Sequence, residues 1–581
     1  MSMKPTPTEH ALPLRAADFA SLAEALDYAS QGETGVNFYG GSGKLYSTLT
    51  YRALREQALE LASRLVGLGL ARGERVALVA DTRPDFLRFF FACQYAGLVP
   101  VALPASLQLG GHQIYVRQLR GLLECCQASV AMASEDFLRF LREAAEGQSM
   151  RLVGTPGEFD RLPAADNAVE ALGRGELAYL QFTSGSTRFP RGVMITQEQA
   201  LSNLSGIVRD GLQVRPTDRC MSWLPYYHDM GLVGFVLGPM AAQRSVDYLD
   251  TRDFAMRPRR WLEVMTYNRA TISFAPPFGY ELCARRMRAG DPARYDLSAW
   301  RVAGIGAETI RADVLEEFAE VLAPSGFDSR AFLPCYGMAE CSLAISFAPL
   351  WRGLELDHVD AEHLAEHQEA RPARGDQTRT SVFVKCGTVL PAHEVVIRDS
   401  EGNPLPERRA GGIAVRGPSV MSGYYREEGI TREVLSADGW LDTGDIGYRV
   451  DGNIVITGRK KDMIIANGRN IWPQDLEHIA VQQPEIRSMD ASAFSVTAAD
   501  GKEEAVMVVQ GRVTDPNKRA ELVRRLQRLV YEELGIHCTI ELVPPHTLPR
   551  TSSGKLSRSE AKQGYLQRRS RTGAAAACKA G

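Results

Sequence analysis

A short loop rich in small and hydroxylated residues is the part of the sequence best suited to chemistry. It spans residues 183–187 and lies between two apolar, strand-like runs, Leu177 to Phe182 and Gly192 to Ile195. Such a loop offers backbone N–H groups and hydroxyls with little steric bulk, and Arg188 and Arg191 add positive charge, which together suit a polyphosphate. An ordinary Ser/Thr/Gly-rich turn has the same composition. The loop is not a Walker A loop, because no Gly-Lys-Ser/Thr closes it at the required spacing.

Four further short motifs follow this loop along the chain. They are Tyr336-Gly337-Met338-Ala339-Glu340, Trp440-Leu441-Asp442-Thr443-Gly444-Asp445, Gly458-Arg459-Lys460-Lys461-Asp462 and Pro549-Arg550-Thr551-Ser552-Ser553-Gly554-Lys555. Each motif alone is a weak signal, but five in this order across nearly the whole chain are specific. Together they resemble the core motifs of the adenylate-forming superfamily, which comprises acyl-CoA synthetases, nonribosomal peptide adenylation domains and luciferases.

The resemblance implies that a carboxylate is joined to the α-phosphate of ATP and that pyrophosphate is released. A carboxylic acid with a pKa of about 4 is already ionised at neutral pH, so this reaction needs no general base. The difficulty is to bring two anions together and to stabilise the charge that develops. Positioning and electrostatics are therefore expected to determine the rate.

By this resemblance, most motif residues bind ATP or Mg²⁺. Those expected to contact the phosphates are Thr183, Ser184, Gly185, Ser186, Thr187 and Arg188. Those expected around adenine are Gly306, Ala307, Glu308, Tyr336, Gly337 and Met338. Asp445 is expected to accept hydrogen bonds from both ribose hydroxyls, and Arg459 is expected to assist. A lone Asp in a turn, however, usually has a structural role. Glu340 and Thr183 are expected to hold Mg²⁺, although such a glutamate could also be a surface residue.

Two residues are expected to act at the reacting carboxylate. Lys555 is a mobile point charge on a Ser/Gly loop, suited to bridging the carboxylate and the α-phosphate, although it could also be a surface lysine. His228, within Leu224 to Leu232, matches a motif at the entrance of the acyl site, whereas a lone His is more often structural. Lys461 lies where the superfamily places the hinge between its two domains.

An acyl site requires apolar lining, and one stretch of the sequence offers candidates for it. They are Phe235, Phe274, Pro276, Phe278 and Tyr280. Apolar residues of this kind are equally typical of any protein core.

Composition excludes several classes of protein. The 581 residues carry a net charge of −3, which gives no support for nucleic-acid binding. No apolar run reaches the ~20 residues needed to span a bilayer, and the polar start, Met1 to His10, contains no signal core. Ten cysteines without a Cys-x-x-Cys pair indicate reduced thiols. A cytoplasmic protein is predicted.

The predicted fold class is α/β. A strand at Glu74 to Ala80, a helix with Pro84 in its first turn and Asp81 or Thr82 as its cap, and a strand at Leu98 to Leu103 predict a βαβ unit and hence a parallel sheet. Residues 1–460 are expected to form a large domain of parallel sheets with flanking helices. A β-barrel-like subdomain is predicted within it at about 381–457. After the hinge, residues 461–567 are expected to form a small, mobile α+β domain, and residues 568–581 a disordered tail.

Several segments resemble one branch of the superfamily, the fatty acyl-AMP ligases. They are Ser21 to Leu26, Gly35 to Tyr39, the phosphate loop with Arg188, His228 to Leu232, and Gly468 to Asp475. Members of that branch carry an insertion near residues 350–380 that restrains rotation of the small domain. They transfer the acyl group to the phosphopantetheine arm of an acyl carrier protein. The resemblance thus implies ATP, Mg²⁺, a medium- or long-chain fatty acid and a carrier protein as partners. Cys341 departs from the Thr or Ser common after the motif glutamate.

Two alternatives remain open at this point. A medium- or long-chain acyl-CoA synthetase would have the same fold and the same first half-reaction. A catalytically silent acyl- or nucleotide-binding protein is a third possibility, but it has no physical need to retain Glu340, Asp445, Arg459 and Lys555 together. Residues 350–380 are rich in Glu, His, Arg and Asp. The simplest interpretation of this segment is a solvent-exposed surface loop.

Overall fold

Two large β-sheets with parallel centres form the framework of the chain; the first is antiparallel at both edges and the second at one edge. The computed structural model describes residues 12–105, 111–165, 168–183, 190–288, 290–375, 379–466, 469–487, 489–497, 503–550 and 556–579. The first sheet consists, in spatial order, of Thr388–Val389, Ala344–Phe347, Phe332–Gly337, Val302–Ile305, Ile272–Ala275, Cys220–Ser222, Val246–Leu249, Gly35–Tyr39 and Leu45–Thr50. The second consists of Gly423–Tyr424, Gly192–Thr196, Leu177–Phe182, Val99–Leu103, Arg75–Val79, Val130–Met132 and Leu152–Gly154. This arrangement confirms the predicted α/β class.

Helices flank these sheets. The α-helices are Leu22–Ala29, Tyr51–Gly67, Pro84–Tyr95, His112–Cys126, Glu135–Ala145, Pro156–Phe159, Gln197–Ser205, Asp229–Gly231, Gly238–Ala241, Thr251–Met256, Arg259–Asn268, Pro277–Met287, Ala312–Leu322, Ala361–His367, Glu428–Val434, Pro473–Val481, Pro516–Leu534 and Arg558–Lys579. Short 3₁₀ turns span Pro292–Arg294, Ala323–Ser325, Ser329–Ala331, Ala339–Cys341 and Lys460–Asp462. Two π-helical turns, Gly206–Gly211 and Leu232–Leu237, continue α-helices without a break.

The predicted βαβ unit is present, with one error at its cap. Strand Arg75–Val79 pairs in parallel with Val99–Leu103, and helix Pro84–Tyr95 connects them. Phe86, Phe89, Phe90 and Cys93 of that helix are buried, as the i, i+3, i+4, i+7 spacing predicts. The N-cap is Arg83, without a side-chain cap bond, rather than Asp81 or Thr82. Pro84 occupies the first helical position, where its fixed φ suits the helix, so the residue directly before it, Arg83, is the N-cap.

The predicted β-barrel-like subdomain is an open sheet instead. Four antiparallel strands lie in the order Glu394–Arg398, Gly411–Arg416, Leu441–Val450 and Asn453–Arg459. The two outer strands do not pair with each other within the described part of the chain, so the barrel does not close. Alternating apolar runs predict short strands, but they carry no information on closure.

The described residues of segment 350–380 form regular secondary structure and are not simply a solvent-exposed loop. Strand Leu356–Asp360 pairs with Thr380–Val384, and helix Ala361–His367 lies between them. Its apolar side chains Val359, Leu364 and Ala370 pack on Tyr448 of the open antiparallel sheet. We refer to residues 350–380 as the insertion.

The C-terminal residues form a unit with its own apolar cores. Strands Ala491–Thr497, Glu503–Gln510 and Cys538–Val543 form a three-stranded sheet, and Ile464–Ala466 pairs with Arg469–Ile471. The apolar clusters of this unit contain residues from Ile464 onward alone, as far as the structure describes the chain. Residues 568–579 of the expected disordered tail are instead helical, because the last helix continues to Lys579. The alanines at 574–577 explain the difference, since alanine has the highest helix propensity.

Among the described residues, no helix combines the length and the apolar character needed to cross a membrane.

A buried ion pair fixes the loop that precedes strand Cys220–Ser222. Arg301 is 6% exposed, and its Nε donates to Oδ1 of Asp218 over 2.8 Å while its Nη1 donates to the Leu212 carbonyl. Burial alone would raise the pKa of Asp218, but hydrogen bonds from Arg301 and from the Arg215 amide outweigh it, and the pKa is lowered. A carboxyl with a lowered pKa stabilises the fold above its ordinary pKa of about 3.9, and this contribution is lost as the pH falls through the lowered value.

Arg301→Met should reduce the free energy of unfolding by about 3–5 kcal/mol, because it leaves the Asp218 carboxylate buried without its cation. The matched control is Arg174→Met, whose partner Glu198 is half exposed and which should cost less than about 1 kcal/mol. Denaturant unfolding of both variants at pH 7 measures the difference. Equal losses would contradict the structural role of the buried pair.

Candidate active site

One cavity of about 1510 Å³ collects residues from the carboxyl ends of strands in both large sheets. Thr183 follows strand Leu177–Phe182, Ala307 follows Val302–Ile305, and Tyr336 and Gly337 end Phe332–Gly337; all four line the cavity. The carboxyl edge of parallel strands is where α/β sheets bind ligands. Four of the sequence motifs contribute residues to this one space.

A buried carboxylate, Glu340, lines the cavity. It is 9% exposed, and its Oε1 accepts a hydrogen bond of 2.8 Å from the Tyr424 hydroxyl. Burial raises the pKa of Glu340, the Tyr424 hydroxyl lowers it, and the nearby Asp229 carboxylate raises it further, with a net rise. The guanidinium of Arg191 lies 5.3 Å from the centre of the Tyr424 ring. An oxygen ligand facing the cavity is thus held in place beside fixed positive charge.

The backbone after Glu340 is strained. Ser342 has φ 63° and ψ −57°, a conformation that non-glycine residues rarely adopt. The Ser342 hydroxyl donates to the Ser419 carbonyl over 3.1 Å, and the residue is fully buried. The surrounding structure therefore determines the turn that presents Glu340, a feature that the sequence motif did not reveal.

A second carboxylate, Asp445, joins three motifs behind the cavity wall. It is 6% exposed; its Oδ2 accepts a 2.7 Å hydrogen bond from the Tyr336 hydroxyl, and its Oδ1 accepts from Nε of Arg459 at 3.2 Å. Asp445 and Arg459 are direct partners across two neighbouring strands. Burial and the Asp445 carboxylate raise the pKa of the Tyr336 hydroxyl, which therefore remains a donor. Tyr336 and Arg459 line the cavity.

His228 is held at the start of a continuous helical segment. Its Nδ1 lies 2.6 Å from Oδ1 of Asp229, and both residues line the cavity. Gly231 is required at this turn, because a Cβ there would lie 2.1 Å from the Pro225 carbonyl oxygen. The amide of Gln181 donates to the Tyr227 carbonyl over 2.8 Å and fixes the preceding residues. These contacts explain the residue types in the motif that contains His228.

An apolar channel extends from this polar region along the face of the first sheet. Its lining includes Ile207, Leu212, Gly234, Phe235, Ile272 and Phe274. Phe235 and Phe274 meet edge to face with ring centres 6.0 Å apart. Gly304 allows this packing, because a Cβ there would lie 2.0 Å from the Phe274 ring. The two π-helical turns supply Ile207, Gly234 and Phe235, and these turns were not predicted.

Three of the predicted acyl-site residues lie elsewhere. Tyr280 is fully buried in the core, with its hydroxyl donating to the Gly304 carbonyl over 2.9 Å. Phe278 packs on Trp223 with ring centres 5.8 Å apart, and Pro276 precedes helix Pro277–Met287. Apolar residue type does not distinguish a core position from a channel wall, so the sequence could not separate these residues from Phe235 and Phe274.

The remaining predicted residues fall into two groups. Met338 and Lys461 line the cavity, whereas Gly306 and Glu308 flank its lining residue Ala307. Glu308 accepts a hydrogen bond from the Phe278 amide over 3.2 Å. The phosphate-loop residues Ser184, Gly185, Ser186, Thr187 and Arg188, and the proposed catalytic Lys555, lie outside the described residues.

Comparisons with known proteins agree with this geometry. Residues 29–425 match the model of the AMP-binding enzyme family. A Caulobacter vibrioides protein, named provisionally as an acyl-CoA synthetase, is 45% identical over 97% of this chain and 98% of its own. The medium-chain-fatty-acid–[acyl-carrier-protein] ligase of Moorena producens is 31% identical over 95% of this chain and 96% of its own.

A solved structure gives the same result for the fold. It comes from work on fatty acyl-adenylate ligases of E. coli and L. pneumophila, and it is 46% identical to this chain with a TM-score of 0.92. The match covers 96% of this chain and 100% of the other. The family match over most of the chain, the identities above 30% across nearly its full length and the cavity built from the family's motifs lead to one conclusion: this chain is a member of the AMP-binding enzyme family.

Proposed function

We propose that this enzyme uses ATP to convert a medium- or long-chain fatty acid into an acyl-adenylate and then passes the acyl group to an acyl carrier protein. The observation that supports this most directly is the union, within one cavity, of a polar region around Glu340 and Tyr336 with the apolar channel past Phe235. A polar region of this kind suits ATP, and an apolar channel suits a hydrocarbon chain. The similarity to an acyl-carrier-protein ligase and to a fatty acyl-adenylate ligase structure supports the same function.

The site residues fit Mg²⁺ bound together with substrate phosphates. No group of three or more His, Cys, Asp or Glu side chains suited to a metal occurs in the ranges that the structure describes. Mg²⁺ often binds through one or two carboxylates plus phosphate oxygens, and Glu340 with the hydroxyl of Thr183 offers such a set. Bound Mg²⁺ would neutralise phosphate charge. Because the pKa of Glu340 is raised, its affinity for a cation is expected to fall earlier on acidification than that of an ordinary carboxylate.

Asp445, His228 and Lys555 have separate roles in the proposed adenylation. Asp445 keeps lone pairs for ribose hydroxyls, since a carboxylate has about four acceptor positions and Tyr336 and Arg459 use two of them. His228, fixed by Asp229, lies where the polar region meets the channel lining and orients the fatty carboxylate. Lys555 supplies the charge that bridges the carboxylate and the α-phosphate, as the family motif implies.

The acyl acceptor depends on the position of the C-terminal unit, and one contact supports the carrier-protein assignment. Nη2 of Arg379, at the end of the insertion, lies 3.3 Å from Oδ2 of Asp475 in helix Pro473–Val481. The insertion therefore contacts the unit that would rotate about Lys461. A contact made in one domain arrangement alone shifts the equilibrium toward that arrangement. The rival function, acyl-CoA synthesis, is favoured by the name of the Caulobacter vibrioides relative.

The direct test is pyrophosphate release with a panel of fatty acids, followed by acyl transfer to CoA or to a phosphopantetheinylated carrier protein. We expect acyl-dependent pyrophosphate release and preferential transfer to the carrier protein. No release with any acid would indicate a silent binding protein. Efficient acyl-CoA synthesis would assign the enzyme to the CoA synthetases.

Asp445→Asn should raise the KM for ATP at least about tenfold, because charge-assisted hydrogen bonds to the ribose are lost. Asparagine is chosen over alanine since it leaves an acceptor for the buried Tyr336 hydroxyl. The control is Asp438→Asn, on an exposed turn where the carboxylate accepts from Ser436. Wild-type ATP affinity in Asp445→Asn would reject the ribose assignment.

Lys555→Ala should lower the kcat of adenylation by roughly 10²–10³, the usual loss for one preorganised electrostatic group. The affinity for ATP should change much less. Lys562→Ala, in the helix that follows, is the matched control. Acid-dependent pyrophosphate release measures both variants, and an unchanged kcat in Lys555→Ala would remove it from the mechanism.

Arg379→Ala should increase acyl-CoA formation several-fold, since the loss of one part-buried ion pair is worth about 1 kcal/mol of domain equilibrium. The variant should still form acyl-adenylate at the wild-type rate. Arg374→Ala, exposed in the same insertion, is the control. Acyl-CoA production at saturating CoA is the measurement; no increase would show that this ion pair does not restrain the C-terminal unit.

A further inference from the structure

The inner end of the apolar channel contains a charged side chain. Leu212, Val214, Cys220 and Ile272 line this end together with Arg244, which is 8% exposed. Arg244 lies two residues before strand Val246–Leu249, at the edge of the sheet opposite to the polar region. A channel that binds only hydrocarbon has no need of a guanidinium. Placing an unpaired charge in apolar surroundings also costs free energy.

The protein satisfies the Arg244 guanidinium only in part. Its Nε donates to the Ala242 carbonyl over 3.0 Å, and its Nη1 donates to the Pro216 carbonyl. No carboxylate lies within ion-pair distance of Arg244, and Nη2 has no protein acceptor, among the residues that the structure describes. Burial lowers the pKa of Arg244, and the smaller opposing effects of Tyr51, Asp218 and Cys220 do not cancel this shift.

Two neighbouring arginines differ from Arg244, because each is paired with a carboxylate. Arg219 forms a two-pronged pair with the fully buried Asp247, with both N–O distances 2.7 Å. Arg301 is paired with Asp218 in the loop that closes the same end of the channel. Arg219 and Arg301 are thus each paired with a carboxylate of the protein. Arg244 lines the channel, and no described carboxylate lies within ion-pair distance of it.

We propose that Arg244 recognises an oxygen at the far end of the substrate chain, so that the preferred acids are oxygenated at or near the ω-carbon. A hydroxyl, ketone or carboxylate at that position would accept hydrogen bonds from the guanidinium. An unsubstituted methyl end of the same length would displace water from Arg244 and return no hydrogen bond. The proposal rests on the function proposed above and specifies its substrate class.

The strand register gives the chain length at which the effect should occur. Ile272 pairs with Val302, and Ala307, beside the polar region, is five residues after Val302, a distance of about 16 Å along the strands. Arg244 begins two residues further in that direction, about 23 Å in all, and its strand is the third from that of Val302, about 14 Å to the side, so its backbone lies about 27 Å away. With C–C bonds of about 1.5 Å, an extended chain advances about 1.25 Å per carbon, and the arginine side chain itself spans about 6 Å. The far end should therefore meet the Arg244 guanidinium at roughly 16 to 18 carbons.

The test compares, from C8 to C18, saturated acids with ω-hydroxy acids and α,ω-diacids of equal length, using kcat/KM from pyrophosphate release. At the length that reaches Arg244, the wild type should prefer an ω-oxygenated acid over the plain acid by roughly ten- to a hundredfold, the range for one charge-assisted hydrogen bond. At C8 the preference should be absent. A plain-acid preference at every length would overturn the proposal.

Arg244→Met, which keeps the length of the side chain and removes its donors, should abolish this preference. The readout is the ratio of kcat/KM for the two acids within one variant, because a purely structural arginine would lower both values together and leave the ratio intact. Arg215→Met, on the exposed part of the neighbouring loop, is the matched control and should keep the wild-type ratio. If Arg244→Met does not fold, the length dependence in the wild type decides the question. No turnover of any acid would instead refute the proposed function itself.

Discussion

The hydrogen bond between Tyr336 and Asp445 is the contact on which the rest of the site depends. Tyr336 lies near the end of a strand of the first large sheet, whereas Asp445 lies in the open antiparallel sheet, so the bond joins two different sheets. Both groups are buried, and breaking the bond would leave the Tyr336 hydroxyl without its carboxylate acceptor, whereas Asp445 would keep Arg459 as a partner. Arg459 extends the network toward Lys461, the first residue of the proposed mobile part. Asp445 therefore connects Tyr336 of the cavity wall with the strand that leads to the proposed hinge.

The apolar channel depends on a different constraint, the close approach of backbone and ring. Gly304 has no side chain and therefore lets Phe274 lie against its strand, and the π-helical turn Leu232–Leu237 places Phe235 opposite. Wider helical turns of this type are frequent at functional sites. They shift the following residues around the helix axis, and a hydrophobic periodicity of 3.6 does not describe them. The apolar channel thus lies where the regular helix is interrupted.

Sequence patterns predicted the structure correctly where one physical rule determines the local conformation. The helix after Pro84 follows from proline geometry and apolar spacing, and it is present. The motif order also led to Glu340, Asp445 and His228, which the fold brings to one cavity or its wall. Sequence failed where the answer depends on tertiary contacts. It could not reveal that the antiparallel sheet stays open, nor that Tyr280 belongs to the core, nor that Arg244 lies at the end of a channel.

The insertion connects the open antiparallel sheet with the C-terminal unit. Its apolar residues Val359 and Leu364 anchor it to the open antiparallel sheet, which also carries Asp445. Its end contacts Asp475 of the C-terminal unit through Arg379. The insertion therefore contacts both the sheet that carries Asp445 and the C-terminal unit, which the proposed function requires to move for the second half-reaction. The strength of that second contact need not be large, because a shift of about 1.4 kcal/mol in the domain equilibrium changes the population of the other arrangement tenfold.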